Sequence, residues 1–292
     1  MDLSVIIVSF NSAGFIERCL ASVETCLRGV NHEVCVVDNA SSDGSARLVR
    51  ERFPRVTVIA NRVNLGFAAG VNRGLDATEG RYVLWLNPDA ELLDAGAGDL
   101  VDYFERHPRV GILGPQLVDP SGGVQLSCRS FPSYRTALFH RHSLLTRWFP
   151  KNPGSREYLL SDWDHGTARE VDWVSGACLL HRRRLLDEIG PLDERFFMYC
   201  EDVDFCLRAR QAGWSVQYHP GTRVLHHIGG SSRAEAFRMV VARHRSMWRY
   251  YAKHFRRHPL KDAAVAAAVW GRCALLVARA AWAGTRPPRE AG

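Results

Sequence analysis

The sequence predicts an α/β fold with a doubly wound, mostly parallel sheet of the Rossmann-like type and a helical extension at the C-terminus. Three observations support this prediction. The first hundred residues alternate between short apolar runs and segments with helical spacing. Polar turn residues follow the apolar runs. The last 60 residues are helical in pattern and strongly basic. We therefore predict a sheet domain over residues 1–232 and a basic helical extension over 233–292.

The β–α alternation assigns the first elements in order. The run 4–10 is continuously apolar, which is typical of a parallel strand covered on both faces. Further strands are predicted over 33–37, 56–60 and 81–86. Three helices fit between them: one carries the apolar stripe Phe15, Leu20, Val23 and Leu27, one carries Leu48, Val49 and Phe53, and one spans 67–77. Right-handed crossovers would place these strands side by side.

The second half of the chain is less regular. Short apolar runs predict strands over 110–113, 171–174, 177–181 and 215–218. Residues 131–170 are rich in aromatic residues, His, Arg and Pro without a clear period, and such a long irregular segment is usually functional or mobile. Two helices are predicted at the end, over 234–255 and 260–283.

Composition excludes several classes of protein. The chain has 292 residues, of which 46% are hydrophobic and 24% are charged, as in ordinary soluble domains. Its eight cysteines include no Cys-x-x-Cys pair, so neither a zinc site nor a disulfide framework is indicated, and a reduced cytoplasmic setting fits best. The apolar N-terminal run has no basic flank, which indicates a buried strand and not a signal peptide.

The net charge of +7 is concentrated in the C-terminal extension. Residues 233–292 hold 13 Lys and Arg against three acids, and the other 232 residues sum to −3. The segment 260–283 has no uninterrupted apolar span of about 20 residues, so it does not predict a transmembrane helix. Three roles stay open: peripheral contact with the anionic inner face of the plasma membrane, packing as a hairpin on the core, and contact with a second subunit in a homodimer. No recognition motif accompanies the charge, so nucleic acid is not an expected partner.

Three polar clusters follow predicted strands, namely Ser9-Phe10-Asn11, Asp38-Asn39 and Asn87-Pro88-Asp89. In an open parallel sheet, ligands bind beyond the carboxyl ends of the strands, near the point where the strand order reverses. Asp38 could therefore accept hydrogen bonds from a base or a ribose, although an Asx-turn into the next helix also explains it. Asp89 could bind Mg²⁺ or Mn²⁺ together with diphosphate oxygens, or it could form an ordinary turn after the proline.

The segment 64–74 places Asn64, Asn72 and several glycines where a loop enters a helix. Glycine allows the backbone to approach a ligand, and a helix N-terminus favours anions. The Gly-x-x-x-Gly spacing also fits close packing of a helix on a sheet. The segment lacks the Gly-x-Gly-x-x-Gly pattern that would indicate a dinucleotide site.

The run 196–208 contains three acids in four residues, Glu201, Asp202 and Asp204, directly after an aromatic stretch. On a helix the three side chains cannot all face one way, so only one or two point into a cleft. An acid beside buried aromatic residues can have a raised pKa, which suits a general base, whereas acids at a helix N-terminus can also simply complement the helix dipole. After the last predicted strand, His226 and His227 are candidates for metal or phosphate ligands, or ordinary surface histidines.

In chain order, these segments resemble the inverting family 2 glycosyltransferases with the GT-A fold, and in particular the rhamnosyltransferase-like branch of that family. The resemblance covers roughly residues 3–254. It rests on six segments: 4–11 (SVIIVSFN), 36–45 (VVDNASSDGS), 64–74 (NLGFAAGVNRG), 86–89 (LNPD), 171–177 (VDWVSGA) and 196–204 (FFMYCEDVD). One such segment is weak evidence, whereas six in this order are specific.

The resemblance implies a role for each matching residue. Asp38 would hold the nucleotide base in a pocket walled by Ser9, Phe10 and Asn11, and the donor site would be lined by Asn64, Asn72 and Asn87. Asp89 would be the last acid of the metal-binding Asp-x-Asp motif, which begins here with Asn87. His226, or less closely His227, would be a metal or diphosphate ligand. Asp202 would be the general base, with Glu201 and Asp204 as supporting or alternative acids. The acceptor side would be shaped by Asp172, Trp173 and Gly176.

The same resemblance implies the chemistry. A sugar would pass from a nucleotide-sugar donor, with dTDP-rhamnose favoured, to a hydroxyl of a saccharide or polyprenyl-linked acceptor in cell-surface polysaccharide synthesis, with Mg²⁺ or Mn²⁺ as cofactor. Two rival functions stay open. A nucleotidyltransferase would need a Gly-rich, basic loop after the first strand, and Phe10-Asn11-Ser12-Ala13 is not one. A non-catalytic nucleotide-sugar-binding protein would not need Asp89 and Asp202.

Overall fold

The computed structural model describes residues 1–94, 97–132, 153–227 and 236–284, with the backbone alone at 97–98, 153–155, 236–237 and 280–284. Much of the irregular segment predicted at 131–170, the glycine–serine run after His227 and the last eight residues lie outside these ranges.

The strands are β1 (Leu3–Ser9), β2 (His32–Asp38), β3 (Thr57–Ala60), β4 (Tyr82–Leu86), β5 (Ala90–Leu92), β6 (Val110–Val118), β7 (Cys128–Arg129), β8 (Arg169–Val171), β9 (Trp173–Val174), β10 (Cys178–Arg182) and β11 (Ser215–His226). The helices are α1 (Ile16–Cys26), α2 (Ser45–Arg52), α3 (Phe67–Asp76), α4 (Ala97–Arg106), α5 (Pro153–Leu159), α6 (Leu185–Ile189), α7 (Glu201–Gln211), α8 (Ala236–His254) and α9 (Pro259–Gly284).

Within the described ranges, nine strands form one sheet in the order β3-β2-β1-β4-β10-β6-β11-β5, with β8 on the side of β11. The strands β1, β2, β3 and β4 are parallel, and β6 is parallel to β11. Three strands, β5, β8 and β10, run against their neighbours. The prediction of a doubly wound, mostly parallel sheet is confirmed, and the strand order reverses between β1 and β4.

Close packing of α3 on β1 explains two of the glycines in the 64–74 segment. A Cβ at Gly70 would lie 2.6 Å from Cγ1 of Val8, and a Cβ at Gly74 would lie 2.5 Å from Cγ2 of Ile6. Both distances are too short for real atoms, so only glycine lets the helix approach the strand this closely. Close packing of the helix on the sheet, and not the approach of a ligand, therefore explains the glycines at these two positions.

The structure divides the strand predicted over 171–174. Residue Asp172 separates β8, which pairs with β11, from β9, which pairs with β7. The carboxylate of Asp172 accepts a hydrogen bond of 2.7 Å from the backbone N–H of Phe131, and this contact replaces a continuous ladder. Strand β11 is longer than the strand predicted over 215–218. It pairs with β6 over most of its length and, near its end, also with β5.

Of the two C-terminal helices, α8 packs on the sheet domain and α9 packs on α8. On α8, Tyr250 is buried in the core, and the Ser246 hydroxyl donates a hydrogen bond of 2.8 Å to the backbone oxygen of Met198. On α9, Asp262 accepts a hydrogen bond of 2.7 Å from the Tyr251 hydroxyl. Neither they nor any other helix in the described residues has the length and apolarity needed to cross a membrane. The division at residues 232 and 233 stays a prediction.

Candidate functional site

The carboxyl ends of β1, β2 and β4 meet at one edge of the sheet, where the strand order reverses. The antiparallel strand β10 begins at the same edge, because Cys178 pairs with Leu86 at the end of β4. The turn 175–177 before β10 therefore lies beside Asn87-Pro88-Asp89. This edge collects most of the residues that the sequence singles out.

Hydrogen bonds join the loops after β1 and β2 into one wall. The backbone N–H of Asn11 donates to Oγ of Ser41 at 2.9 Å, and Oδ1 of Asn11 accepts from the backbone N–H of Ser42 at 2.9 Å. The N–H of Ala13 donates to Oδ2 of Asp43 at 2.8 Å. Asn11 adopts a left-handed conformation with φ 49°, which an asparagine tolerates better than most residues.

Asp38 lies buried at the base of this wall, with 3% of its surface exposed. Its Oδ2 accepts the backbone N–H of Ser41 at 3.0 Å, as expected for an Asx-turn. Its Oδ1 is also buried but accepts no hydrogen bond from any residue that the structure describes. A buried acceptor without a donor is costly, so this oxygen is suited to a donor group on a ligand. Nearby, Ser9 is buried with its hydroxyl 2.7 Å from that of Ser12, and Phe10 is partly exposed.

A chain of amide contacts fixes the loop before α3. The Nδ2 of Asn39 donates to the backbone oxygen of Gly66 at 2.9 Å, and Asn61 donates to Oδ1 of Asn39 at 2.8 Å. Arg73 in turn donates to Asn61 at 2.5 Å. The side chain of Asn64 accepts the backbone N–H of Gly66 at 2.9 Å, so Asn64 also shapes this loop, from within it.

Asn72 faces the 191–194 loop. Its Nδ2 donates at 2.9 Å to the backbone oxygen of Leu192 and to Oε1 of Glu194, and its Oδ1 accepts the N–H of Leu192 at 3.0 Å. Both amide hydrogens are therefore used within the fold. In this structure Asn72 holds the 191–194 loop. It has no amide hydrogen left for the contact with the nucleotide-sugar donor that the resemblance implies.

Asp89 and His226 face each other across the edge of the sheet. The Nε2 of His226 lies 3.7 Å from Oδ1 of Asp89, which is longer than a hydrogen bond. Gln125 fixes the imidazole: its Nε2 donates to the backbone oxygen of His226 at 2.7 Å, so its Oε1 accepts from Nδ1 of His226 at 3.0 Å. Burial lowers the pKa of His226, while the charge of Asp89 opposes this shift.

Because Nδ1 donates to Gln125, the neutral imidazole of His226 presents the lone pair of Nε2 to a carboxylate oxygen of Asp89. Two electron-rich atoms at this separation are the donor set that a cation prefers, and an oriented imidazole is typical of metal ligands. His227 is directed elsewhere, with its ring centroid 5.4 Å from that of Phe15 and its Nε2 3.7 Å from Glu91. The geometry therefore distinguishes two histidines that the sequence does not.

Asp202 lies in the first turn of α7 and contacts the turn before β10. Its Oδ2 accepts the N–H of Gly176 at 2.9 Å, and its Oδ1 accepts the N–H of Val203 at 2.8 Å. Burial raises the pKa of Asp202, while these two hydrogen bonds and the positive charge of Arg129 act in the opposite direction.

Glu201 has a different environment. Its side chain is buried, and its Oε2 has no hydrogen-bond partner among the residues that the structure describes. Burial raises the pKa of Glu201 well above its usual value, and the neighbouring charge of Asp202 adds to the shift. Because Asp202 has hydrogen-bond donors and a nearby cation, it ionises first and Glu201 keeps its proton. Two carboxyl groups whose environments separate their pKa values are typical of acid–base sites.

The turn 175–177 connects the two acidic clusters. The N–H of Gly176 contacts Asp202, and the backbone oxygen of the next residue, Ala177, accepts the N–H of Asn87 at 2.9 Å. Asn87 is partly exposed and Asp89 follows it after one residue. Asp202 and Asn87-Pro88-Asp89 are therefore placed on either side of one short turn.

The backbone before Asp202 is strained. Tyr199 and Cys200 both adopt left-handed conformations, with φ 71° and 67°. Each such residue costs about 1–3 kcal/mol, and strain of this kind often accompanies functional sites. The contact between Ser246 and Met198 ties this segment to α8.

Trp173 and Asp172 line the β7–β9 side of the site. The Nε1 of Trp173 donates to the backbone oxygen of Ser130 at 3.0 Å, and the guanidinium of Arg129 lies 5.4 Å from its ring centroid. The carboxylate of Asp172 is bonded to Phe131. Two of the three predicted acceptor-side residues thus form the β7–β9 side, the third, Gly176, contacts Asp202, and Arg129 supplies positive charge.

Asp204 points to the opposite side of α7 from Asp202. It is fully buried, and its carboxylate contacts Arg208 at 2.9 Å, Lys253 at 2.7 Å and His254 at 2.7 Å. Burial alone would raise the pKa of Asp204, but the hydrogen bonds from His254 and Lys253 and the charge of Arg208 lower it overall. Its hydrogen bonds and ion pairs occupy the carboxylate, so Asp204 holds α8 against α7, and the alternative-acid role implied by the resemblance does not fit its position.

Two residues of this site, Gln125 and Arg129, are not predicted from the sequence. Gln125 orients His226, and Arg129 acts on Asp202 through its charge. Both lie outside the polar clusters at the ends of the parallel strands. Only the folding of 124–132 against β9 and β11 brings them close, so a single sequence offers no signal for them.

Comparisons with known proteins identify the family. Residues 4–160 match the model of glycosyl transferase family 2. The chain is 35% identical over 262 residues to an N-acetylglucosaminyl-diphospho-decaprenol L-rhamnosyltransferase of Mycobacterium tuberculosis, which covers 86% of this chain and 84% of that protein. It is 30% identical over 221 residues to a low-salt glycan biosynthesis hexosyltransferase of Haloferax volcanii, which covers 74% of this chain and 64% of that protein.

Solved structures share the fold. A mannosyltransferase of Pyrobaculum calidifontis, in complex with GDP-Man and Mn²⁺, aligns with a TM-score of 0.56 at 17% identity over 98% of this chain and 81% of its own. The structure of GalNAc-T7 with UDP, GalNAc and Mn²⁺ aligns with a TM-score of 0.58 at 15% identity over 77% of this chain and 44% of its own. The fold is therefore of the GT-A type, and this chain belongs to glycosyltransferase family 2, in which it is similar to rhamnosyltransferases.

Proposed function

We propose that this glycosyltransferase transfers L-rhamnose from dTDP-rhamnose, with inversion, to a hydroxyl of a saccharide linked to a polyprenyl diphosphate. The product would serve the synthesis of a cell-surface polysaccharide. One observation carries the proposal: the carboxylate of Asp202 lies on one side of the turn 175–177 and Asn87-Pro88-Asp89 on the other. The 35% identity to a rhamnosyltransferase whose name specifies a diphospho-decaprenol acceptor supports the choice of substrates.

The base in this proposal is Asp202. Its carboxylate removes the proton of the acceptor hydroxyl as the oxygen attacks the anomeric carbon, and a single displacement of this kind inverts the configuration. Burial raises the pKa of Asp202, which brings its basicity closer to the working pH. Glu201 stays protonated beside it, so only one negative charge occupies this part of the site.

On the donor side, the free Oδ1 of Asp38 accepts a hydrogen bond from the nucleotide base, and the wall around Asn11 encloses it. Asp89 and His226 would hold Mg²⁺ or Mn²⁺. The described residues contain no cluster of three or more His, Cys, Asp or Glu that could hold a metal alone, so diphosphate oxygens would complete the coordination. Such a cation, when bound, neutralises charge on the leaving diphosphate.

The replacement Asp202→Asn tests the base. We expect kcat to fall by about 10²–10⁴-fold, because proton removal is lost. The amide oxygen of the asparagine can keep one of the two hydrogen bonds that Asp202 accepts from Gly176 and Val203, while its NH2 group cannot accept the other. Donor affinity, measured by calorimetry with dTDP-rhamnose and Mn²⁺, should change little. The matched control is Glu201→Gln, which imitates the protonated neighbour and should retain kcat within about tenfold. Equal loss of donor binding and turnover in Asp202→Asn, or unchanged turnover, would refute the assignment.

A further inference from the structure

The outward surface of α9 is apolar over most of its length. Its largest exposed side chains are Leu260, Leu275 and Trp270, with 79%, 52% and 41% of their surface accessible. Other exposed apolar residues of α9 are small: Ala263, Ala264, Ala267, Ala268, Gly271, Ala274 and Ala278. We call these ten residues the outer face of α9.

The outer face is a continuous stripe. At 100° per residue, its ten positions fall within an arc of about 160°. No charged residue lies inside this arc. Two exposed cations, Lys261 and Arg279, lie along the same edge of the arc, near opposite ends of the helix. The remaining charged residues of α9, Asp262 and Arg272, are turned toward α8.

The opposite side of α9 is also apolar. Cys273 is buried there, Val265, Val269, Leu276 and Val277 are partly buried, and α9 packs on α8. The helix is therefore hydrophobic nearly all round, although only one side of it is covered in the described structure. A helix with this pattern normally has a partner on its second side, and an exposed apolar patch of this size marks an interaction surface.

The charge around the outer face indicates which partner fits. Residues 236–284 contain ten Lys and Arg and one acid, Asp262, which gives a net charge of +9. Near the turn between α8 and α9, Arg257 and Lys261 form no ion pair with any described residue. An apolar helical face with free cations at its edge is the pattern of a helix that lies in the plane of an anionic lipid surface.

We propose that the outer face of α9 docks on an anionic membrane, with the helix parallel to the surface and the cations on the lipid headgroups. A second copy of this chain fits less well, because two C-terminal segments that each carry a net charge of +9 would then be brought together. Docking would hold the site beside a membrane, where a polyprenyl-linked acceptor is found. The docking itself does not depend on the proposed transfer reaction.

Vesicle flotation tests the proposal without donor or acceptor, so its outcome is independent of catalysis. The full chain should float with vesicles of phosphatidylcholine and phosphatidylglycerol, and less with phosphatidylcholine alone. The replacement Leu275→Glu should weaken the partition by about tenfold or more, because it places a charge in the apolar stripe. The control Val63→Glu changes a residue that is 61% exposed outside α9, and its flotation should match the wild type.

Thermal unfolding and light scattering complete the test. Leu275→Glu should unfold at the wild-type temperature, because the side chain it replaces is half exposed. The proposal is overturned if the wild type stays in solution with anionic vesicles, or if Leu275→Glu floats as well as Val63→Glu. A wild-type dimer that ignores vesicles and becomes monomeric in Leu275→Glu would assign the outer face to a second copy instead.

Discussion

At the scale of single residues, the site depends on how two adjacent carboxyl groups differ. Asp202 receives two backbone N–H donors and the charge of Arg129, whereas Oε2 of Glu201 is buried without a partner in the described structure. Burial raises both pKa values. At Asp202 the two backbone donors and the charge of Arg129 oppose this shift, and Glu201 has neither these donors nor this cation. The pair can therefore hold one proton and one negative charge at neutral pH.

This difference predicts a pH dependence of stability. A carboxyl group whose pKa is raised on folding stabilises the protein while it keeps its proton, and this contribution declines as the pH rises from about 4.3 toward the folded pKa. Glu201→Gln removes the titration and keeps the shape. We expect the free energy of unfolding in urea, measured at about pH 5 and about pH 8, to fall less with pH in the variant than in the wild type.

The comparison isolates Glu201, because Asp202 contributes to the slope in both proteins. Equal slopes in the two proteins would mean that Glu201 is already ionised in the folded state, contrary to the assignment.

At the scale of elements, the loop before α3 and the loop before α7 fit together at Gly66. This residue has φ +88°, and a Cβ added to it would lie 2.2 Å from the backbone oxygen of Phe197. That oxygen also accepts the N–H of Phe67 at 2.7 Å. Any side chain at Gly66 would therefore push away the segment that leads through Tyr199 and Cys200 to Asp202.

Gly66→Ala should lower both stability and kcat. The backbone of Gly66, with φ 88° and ψ 178°, lies in a region that essentially only glycine adopts and costs an alanine about 1–3 kcal/mol, and displacement of Phe197 adds to this. Gly122→Ala is the matched control, because Gly122 has φ +85° but no described atom within 4 Å of its Cβ position. Urea unfolding and steady-state kinetics of both variants separate the two effects. If Gly66→Ala were no worse than Gly122→Ala, contact with Phe197 would not position the base.

At the scale of the whole molecule, α8 braces α7, the helix that carries Asp202, from the side opposite Asp202. The brace is a buried carboxylate, Asp204, surrounded by Arg208 from its own helix and by Lys253 and His254 from α8. The C-terminal segment therefore does more than extend the sheet domain. One of its helices fixes the site, and the other presents the outer face.

Asp204→Asn should destabilise the protein by about 3–5 kcal/mol, because it leaves the largely buried Arg208 without its carboxylate partner and removes one of the two carboxylates that contact Lys253. The pKa of Asp204 is lowered on folding, so its contribution is full above about pH 3.9 and is lost as the pH falls through the folded pKa. Urea unfolding of the variant at neutral pH measures the loss. Glu51→Gln is the control, because the Arg47–Glu51 pair is exposed and should contribute less than about 0.5 kcal/mol. Similar effects of the two replacements would contradict the brace.

The sequence by itself determined the parallel half of the sheet and the polar clusters at its carboxyl edge. Continuous apolar runs specify buried parallel strands, and the turn residues after β1, β2 and β4 must then share one edge. Six short segments in order also identified the family. These features are local in the chain, so a pattern of neighbouring residues records them.

Only the tertiary structure decided which side chains are free to act. Asn72 and Asp204 carry the right groups, but their partners, Leu192 and Lys253, lie far along the chain. The antiparallel insertion of β10, the division of the 171–174 strand and the contact of Gln125 with His226 are also long-range. A hydrogen bond between distant segments occupies a polar group without leaving a local pattern in the sequence. The sequence therefore predicts candidate residues, and the tertiary structure shows which of them have other partners.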